Sequence, residues 1–131
     1  MKKQQAIHLV DIKPLAKKIA AQLKGGEILG LIGNLGSGKT TFTKLLSKEL
    51  KVKQKVTSPT FILMNLFPAK LINGKNIALY HLDLYRINSF KEVKALGIPE
   101  FWGRKNSVTV IEWADKIKKY LPKKTRYLFF V

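Results

Sequence analysis

Apolar residues recur at helical spacing in two segments of the chain, and each recurrence predicts a helix. One helix is predicted over residues 14–23 and the other over residues 41–50. Their apolar stripes consist of Leu15, Ile19 and Leu23 in the first helix and Phe42, Leu45, Leu46 and Leu50 in the second. A shorter helix is predicted over residues 89–96, because Ser89 and Glu92 have the spacing of a capping box. Residues 115–120 are also expected to be helical.

Apolar and β-branched runs predict the strands. They fall at residues 6–10, 28–32, 60–66, 77–83, 108–112 and 127–131. Asn73-Gly74 is a turn signal, so the third and fourth strands are expected to form an antiparallel ribbon. The other strands alternate with helices, which predicts an α/β fold with a mainly parallel sheet, one ribbon and helices on both faces. Ligands of such folds bind at the carboxyl ends of the strands.

A glycine-rich segment between the second strand and the second helix matches the P-loop pattern G-x-x-x-x-G-K-T. It consists of Gly33, Asn34, Leu35, Gly36, Ser37, Gly38, Lys39 and Thr40, and Thr41 follows it. The glycines allow a tight turn whose N–H groups point at a phosphate, and the next helix places its positive end there. Lys39 can reach the β- and γ-phosphates, and the Thr40 hydroxyl can bind Mg²⁺. Strand, loop and helix stand in the required order, so the segment predicts a nucleotide site.

Two of the eight carboxylates of the chain end predicted strands. Asp83 ends the strand at 77–83, and Glu112 ends the strand at 108–112. A P-loop enzyme needs a carboxylate near Mg²⁺ or near the attacking water, and either residue fits this role. The alternative for each is a carboxylate that simply faces solvent. Periodicity alone does not rank the two.

Three further sets of residues have a structural interpretation beside any functional one. The segment Thr57, Ser58, Pro59 and Thr60 could sense a γ-phosphate, although a Ser-Pro turn that opens a strand is the simpler interpretation. Trp113 follows Glu112 directly and lies either in the core or at the edge of the site. His8 and His81 have no metal-ligand spacing, so core or surface positions are expected for both.

Composition limits the class of protein. A length of 131 residues predicts one domain, residues 1–131, and no apolar stretch approaches the roughly 20 residues that a membrane span needs. The chain has no cysteine and no signal-type apolar segment, so a cytoplasmic protein is expected. The net charge of +17 would suit nucleic acid, but only three of the 25 basic residues are arginines and the lysines are spread along the chain. A solvated basic surface is therefore favoured over a dedicated nucleic-acid patch.

Taken together, the motifs resemble those of the TsaE (YjeE) family of bacterial ATPases. The family pattern has a G-[DN]-L-G-[AS]-G-K-T-T loop, then S-P-T-[FY], then H-x-D-x-Y-R, then E-W. The matching segments here are 33–41, 58–61, 81–86 and 112–113, in the same order and at similar spacing. The likeness covers residues from about 5 to about 120, and family members often continue beyond the position of Val131 with another strand or two.

The resemblance implies a small ATPase with ATP and Mg²⁺ as ligands, which takes part in threonylcarbamoylation of the adenosine beside the anticodon in ANN-decoding tRNAs. It implies two partners of the glycoprotease-like fold, one of which is the threonylcarbamoyl transferase that the ATPase resets, and tRNA reached through that complex. By position, Lys39, Asp83 and Glu112 are implied to be catalytic, and Thr40 and Glu112 to contact Mg²⁺. The remaining implied site residues are Thr57, Ser58 and Thr60 as a switch, with Arg86 and Trp113 in the motifs. Residues 9–11 are implied to flank the adenine.

Two other functions fit parts of the sequence. A P-loop small-molecule kinase would share the phosphate loop, but it needs an acceptor pocket and usually an arginine-rich lid, for which this chain has few arginines. A basic RNA-binding module that merely holds nucleotide would explain the charge. Such a module would bind RNA tightly even without Lys39.

Overall fold

The computed structural model describes residues 6–8, 11–56 and 64–131. Its strands are β1 (Ala6–Ile7), β2 (Ile28–Gly33), β3 (Met64–Lys70), β4 (Asn76–Asp83), β5 (Ser107–Glu112) and β6 (Arg126–Phe130). Its α-helices are α1 (Ile12–Gln22), α2 (Lys39–Glu49) and α3 (Phe90–Ala95), and two 3₁₀ helices span Ile98–Phe101 and Ala114–Tyr120. None of the helices within the described ranges is long and apolar enough to cross a membrane.

The six strands form one sheet in the order β1-β6-β2-β5-β4-β3. Every neighbouring pair is parallel except β3 and β4, which form the antiparallel ribbon that the sequence predicts. β2 lies at the centre between β5 and β6, so the phosphate loop that follows it leaves from the middle of the sheet. The predicted fold class is therefore confirmed.

Apolar side chains cover both faces of the sheet and divide the core into two layers. On one face, α1 and α2 pack against alternate residues of β2 and β5, for example Leu31 and Val110. On the other face, α3 and the second 3₁₀ helix pack against the opposite set, which includes Ile28 and Ile111. Because successive strand residues point to opposite faces, the layer to which a strand-end residue belongs follows from its position in this alternation.

The first strand of the ribbon extends further than the sequence predicts. A strand over residues 60–66 was expected, but β3 runs to Lys70, and residues 60–63 lie outside the described part. Phe67 and Ala69 are buried while Pro68 is exposed, so the inward and outward alternation continues through the proline. This is possible because β3 is at the edge of the sheet, where a proline need not supply an N–H to a further strand.

Two predicted helix details differ in the structure. Ser89 precedes α3 as expected but makes no capping bond with its side chain, and the Glu92 carboxylate accepts the N–H of Asn88 at 2.7 Å instead of closing a capping box. The expected helix at 115–120 is a 3₁₀ helix that is interrupted at the buried Ile117, whose φ is −129°. The non-helical backbone of Ile117 divides the segment into short turns, and 3₁₀ geometry is common in turns this short.

Candidate functional site

The P-loop forms the connection from β2 to α2 at the carboxyl edge of the sheet. Gly38 stands directly before α2 with a φ of 106°, a left-handed conformation that glycine adopts without strain. Gly33 is required for a different reason: a Cβ atom on it would lie 2.6 Å from the Ser37 hydroxyl and 2.7 Å from the Phe130 carbonyl oxygen. The loop is therefore closed tightly against β6 at its first residue.

Lys39 lies inside this loop, with only 4% of its surface exposed. Its ammonium donates to the carbonyl oxygen of Gly33 and, at 2.9 Å, to that of Asn34. The same nitrogen is 4.1 Å from the centre of the Trp113 ring, in a cation–π arrangement. The Lys39 side chain is thus held at the phosphate loop by the loop's own carbonyls and by the residue that follows β5.

Burial lowers the pKa of Lys39 from its ordinary value. The negative charges of Glu112, Asp115 and Asp83 act in the opposite direction and favour the charged form. Three carboxylates therefore contribute to the potential at the lysine of the phosphate loop. Asp115 is one of them, although its position could not be predicted without the path of the chain after β5.

Asp83 and Glu112 meet at the same edge of the sheet. They are paired in the parallel register of β4 and β5, so their side chains lie on the same face. Glu112 is two residues beyond Val110, which belongs to the core layer under α1 and α2, and this places both carboxylates on the α2 side. Asp83 also accepts the N–H of Tyr85 at 3.0 Å through one carboxylate oxygen.

The Glu112 carboxylate connects the phosphate loop with the sheet. Its Oε1 accepts the Thr40 hydroxyl at 2.8 Å, and its Oε2 accepts the His81 ring nitrogen Nε2 at 2.5 Å. Glu112 is 2% exposed and His81 is fully buried, so both contacts are made away from bulk water. Residues far apart in sequence are joined here, since β2, β4 and β5 end side by side.

His81 takes the core position, one of the two expected for it, but the sequence did not predict its contact with Glu112. A single strand pattern shows that His81 is on the same face as Asp83, two residues later. It does not show which strand lies alongside. With β4 next to β5 in register, His81 becomes a diagonal neighbour of Glu112, and the H-x-D spacing is the signal that marks this face.

Aromatic residues border the site on the side of Trp113. Trp113 has a φ of 62°, which is an uncommon left-handed conformation for a residue with a side chain, and it turns the chain sharply after Glu112. Its ring centre is 5.2 Å from that of Tyr85, and the Lys116 ammonium donates to the Tyr85 carbonyl oxygen. Trp113 therefore lies at the edge of the site, which was one of its two expected positions.

The oxygen atoms gathered at this edge suit Mg²⁺. The Thr40 hydroxyl and the Glu112 carboxylate are hard oxygen donors within 2.8 Å of each other, beside the loop that would hold phosphates. The described residues contain no group of three or more His, Cys, Asp or Glu side chains arranged to hold a metal by themselves. Two protein oxygens beside a phosphate loop suit Mg²⁺ bound with a nucleotide, because this ion keeps several waters and takes further ligands from the phosphates.

The remaining predicted site residues are placed as follows. Gly36 and Thr41 lie in the loop and in the first turn of α2, respectively, and Arg86 is exposed in the turn after β4. Thr57, Ser58 and Thr60 lie outside the described residues, as do Leu9 and Val10 of the segment implied to flank the adenine. Asp11 of that segment is exposed just before α1.

Comparisons with known proteins agree with these motifs. Residues 8–130 match the family model described as threonylcarbamoyl adenosine biosynthesis protein TsaE. A relative from Bacillus subtilis, named tRNA threonylcarbamoyladenosine biosynthesis protein TsaE, is 38% identical over 120 residues, which cover 92% of this chain and 71% of the relative. A relative of the same name from Aquifex aeolicus is 41% identical over 110 residues, which cover 82% of this chain and 73% of the relative.

A solved structure shows the same fold. The crystal structure of YdiB from Bacillus subtilis superposes with a TM-score of 0.60 at 32% sequence identity, and the match covers 92% of this chain and 70% of that one. Residues 8–130, which the family model matches, include every motif on which the sequence-based resemblance depends.

Proposed function

The chain belongs to the TsaE family, and from that premise we propose that it is a small ATPase required for threonylcarbamoylation of the adenosine next to the anticodon in ANN-decoding tRNAs. The names of the relatives support a role in tRNA threonylcarbamoyladenosine biosynthesis. The P-loop and the carboxylates beside it support nucleotide hydrolysis as the contribution of this chain to that process. As the family resemblance implies, transfer of the threonylcarbamoyl group itself is assigned to a partner.

The observation that carries the proposal is the contact between Glu112 and Thr40. It joins the P-loop to the end of β5 at 2.8 Å and places a carboxylate beside the hydroxyl that binds Mg²⁺ in P-loop enzymes. Lys39 lies in the same loop and is influenced by the same carboxylate. A glycine-rich turn without a nucleotide function would have no need for a buried acid, a hydroxyl and a buried lysine at one point.

Each of these side chains has a role in hydrolysis. Bound ATP with Mg²⁺ would supply the phosphoanhydride bond that is cleaved. Lys39 would donate to phosphate oxygens in place of its loop carbonyls, and Thr40 and Glu112 would hold Mg²⁺. Asp83, at the same edge, orients the water shell or the attacking water. The aromatic edge at Trp113 limits access of bulk water to the lysine.

The proposed partners are two proteins of the glycoprotease-like fold that form the threonylcarbamoyl transferase complex, and tRNA is reached through that complex. ATP binding and hydrolysis by this chain reset the transferase for another cycle. The proposed location is the cytoplasm, where the partner complex would meet its tRNA.

The first prediction concerns Lys39. We expect Lys39→Ala to weaken ATP binding at least tenfold, about 1.4 kcal/mol, because the main cation at the β- and γ-phosphates is lost. Isothermal titration with ATP and Mg²⁺ measures the effect. Lys44→Ala is the matched control, since it removes an exposed lysine from the same helix. Equal ATP affinity in the wild type and in both variants would show that the P-loop does not bind nucleotide, and this would end the ATPase proposal.

A further inference from the structure

His81 is an imidazole in a fully buried position of β4. Its Nε2 donates to Glu112 at 2.5 Å, while its Nδ1 has no hydrogen-bond partner within the described ranges. Burial of a polar ring is costly when one of its nitrogens remains unpaired. The neighbours of His81 on the same strand, Leu79 and Leu82, fill the core with apolar side chains. Packing alone therefore gives no reason for an imidazole at this place.

The contact with Glu112 supplies a reason. The Glu112 carboxylate has two oxygens, and in this structure one is held by Thr40 and the other by His81. The Thr40 hydroxyl is also the group that binds Mg²⁺ in a P-loop site, so its hydrogen bond to Glu112 is exchanged when the metal binds. The bond from His81 is made to the other oxygen of the carboxylate and need not break. It can hold the carboxylate plane while the Thr40 contact changes.

We propose that His81 is a positioning residue, which orients the Glu112 carboxylate for Mg²⁺ through its Nε2–H. This inference rests on the proposed nucleotide and Mg²⁺ site. His81 does not touch the nucleotide. Its effect is transmitted through Glu112, as hydrogen bonds behind metal ligands commonly fix the orientation of those ligands.

The test uses two substitutions at His81 and measures binding rather than turnover. His81→Gln keeps an N–H donor of similar reach, and His81→Leu removes the donor while keeping an apolar side chain of similar bulk. A fluorescent ATP analogue that resists hydrolysis is titrated at increasing Mg²⁺ and, separately, in the presence of a chelator. We expect the half-saturating Mg²⁺ concentration to rise about tenfold in His81→Leu, a typical loss when such a supporting bond is removed. His81→Gln is expected to restore most of the Mg²⁺ response, and affinity in the chelator is expected to stay unchanged in both variants.

Thr109→Val provides the matched control. Thr109 is a buried polar residue of β5 whose hydroxyl has no partner in the described structure, and it does not contact Glu112. Thermal unfolding of all variants separates folding from metal binding. Thr109→Val is expected to leave the Mg²⁺ response as in the wild type.

A double-substituted protein distinguishes positioning from a general structural role. If His81 acts through Glu112, then His81→Leu adds no further loss of Mg²⁺ response to a protein that already carries Glu112→Gln. A further loss in that background would overturn the proposal, and so would equal Mg²⁺ responses of wild type and His81→Leu. The same holds if Gln is no better than Leu. In these three cases the wild type still shows Mg²⁺-dependent binding and the ATPase proposal stands, whereas a wild type without any Mg²⁺ dependence would overturn both.

Discussion

Glu112 contacts the phosphate loop and the neighbouring strand with one carboxylate. One oxygen of Glu112 accepts from Thr40 and the other from His81. Asp83, the register partner of Glu112, lies at the same edge of the sheet but accepts a backbone N–H from Tyr85. Two acids that share an edge of the sheet thus have different surroundings at the level of single atoms. Different surroundings lead to different expected effects when each charge is removed.

The second prediction compares Glu112→Gln with Asp83→Asn, which both keep side-chain volume. Glu112→Gln should weaken Mg²⁺-dependent ATP binding more than binding in a chelator, because a metal ligand is lost. Asp83→Asn should lower the turnover number more than the affinity, because a water-orienting group is lost. Each effect is expected to reach about tenfold. Titrations with and without Mg²⁺ give the two ATP affinities of each variant, and steady-state rates give its turnover number.

Glu49→Gln is a suitable control for the loss of one negative charge, since Glu49 is at the far end of α2. Glu49→Gln should change neither the Mg²⁺ dependence of ATP binding nor the turnover number. The division of roles would be wrong if Glu112→Gln and Asp83→Asn showed the same dependence on Mg²⁺.

At the scale of elements, the phosphate loop depends on how closely β2 approaches β6. Gly33 ends β2, and a Cβ added to it would lie too near the Phe130 carbonyl and the Ser37 hydroxyl to fit without a shift of the backbone. Gly33 therefore allows both the close approach of β2 to β6 and the tight turn of the phosphate loop. A change that separates the two strands here also opens the loop.

The third prediction is that Gly33→Ala lowers the free energy of unfolding by about 2 kcal/mol, which is typical of overpacking at a site that cannot move. The same substitution should weaken nucleotide binding, since the loop must shift to admit the methyl group. Gly74→Ala is the control: its φ of 89° is strained by a side chain, but nothing lies within 4 Å of the new Cβ. We expect this control to cost about 1–2 kcal/mol and to leave nucleotide affinity intact. Denaturant unfolding and ATP titration measure both effects, and an undiminished affinity in Gly33→Ala would contradict the prediction.

At the element scale, local sequence determines some features and leaves others to the arrangement of the strands. The P-loop and the strands at 28–32 and 108–112 were predictable because an unbroken apolar run needs no knowledge of its neighbours. The end of β3 was not, because whether Pro68 breaks a strand depends on whether that strand is at an edge. The contact of His81 with Glu112 required the order and register of strands, which local periodicity does not contain. The same reason explains why Asp115 was missed as a contributor to the potential at Lys39.

At the scale of the whole molecule, the charge of +17 and the scarcity of arginine have separate consequences. A charge of this size attracts polyanions at low salt, even without a dedicated patch. Phosphoryl transfer often needs an arginine over the γ-phosphate, and Arg86 is the only arginine inside a motif. Arg86 is exposed in a turn, so the chain has little of its own to stabilise the transferred charge.

The fourth prediction is therefore that the isolated protein hydrolyses ATP slowly and that its two partners accelerate it at least about tenfold, since an arginine supplied by a partner can contribute on the order of 10³-fold. Added tRNA should increase the rate further at low salt, and this increment should shrink at high salt. ATPase assays of the chain alone, with both partners, and with tRNA at two salt concentrations test the expectation. Fast turnover by the chain alone, unaffected by the partners, would favour an autonomous enzyme such as a kinase.

The position of β2 in the sheet also sets an order of events during synthesis. β2 and its loop are made early, yet both neighbours of β2 come later in the chain: β5 ends at residue 112 and β6 at residue 130. A nascent chain that stops short of β6 has the whole P-loop motif but lacks the carbonyl of Phe130 against which Gly33 is packed. Contacts at such sequence separation form slowly, because a long loop must close before they contribute. We therefore expect the ability to hold a phosphate to be acquired near the end of folding, once the strand at residues 126–130 lies between β1 and β2.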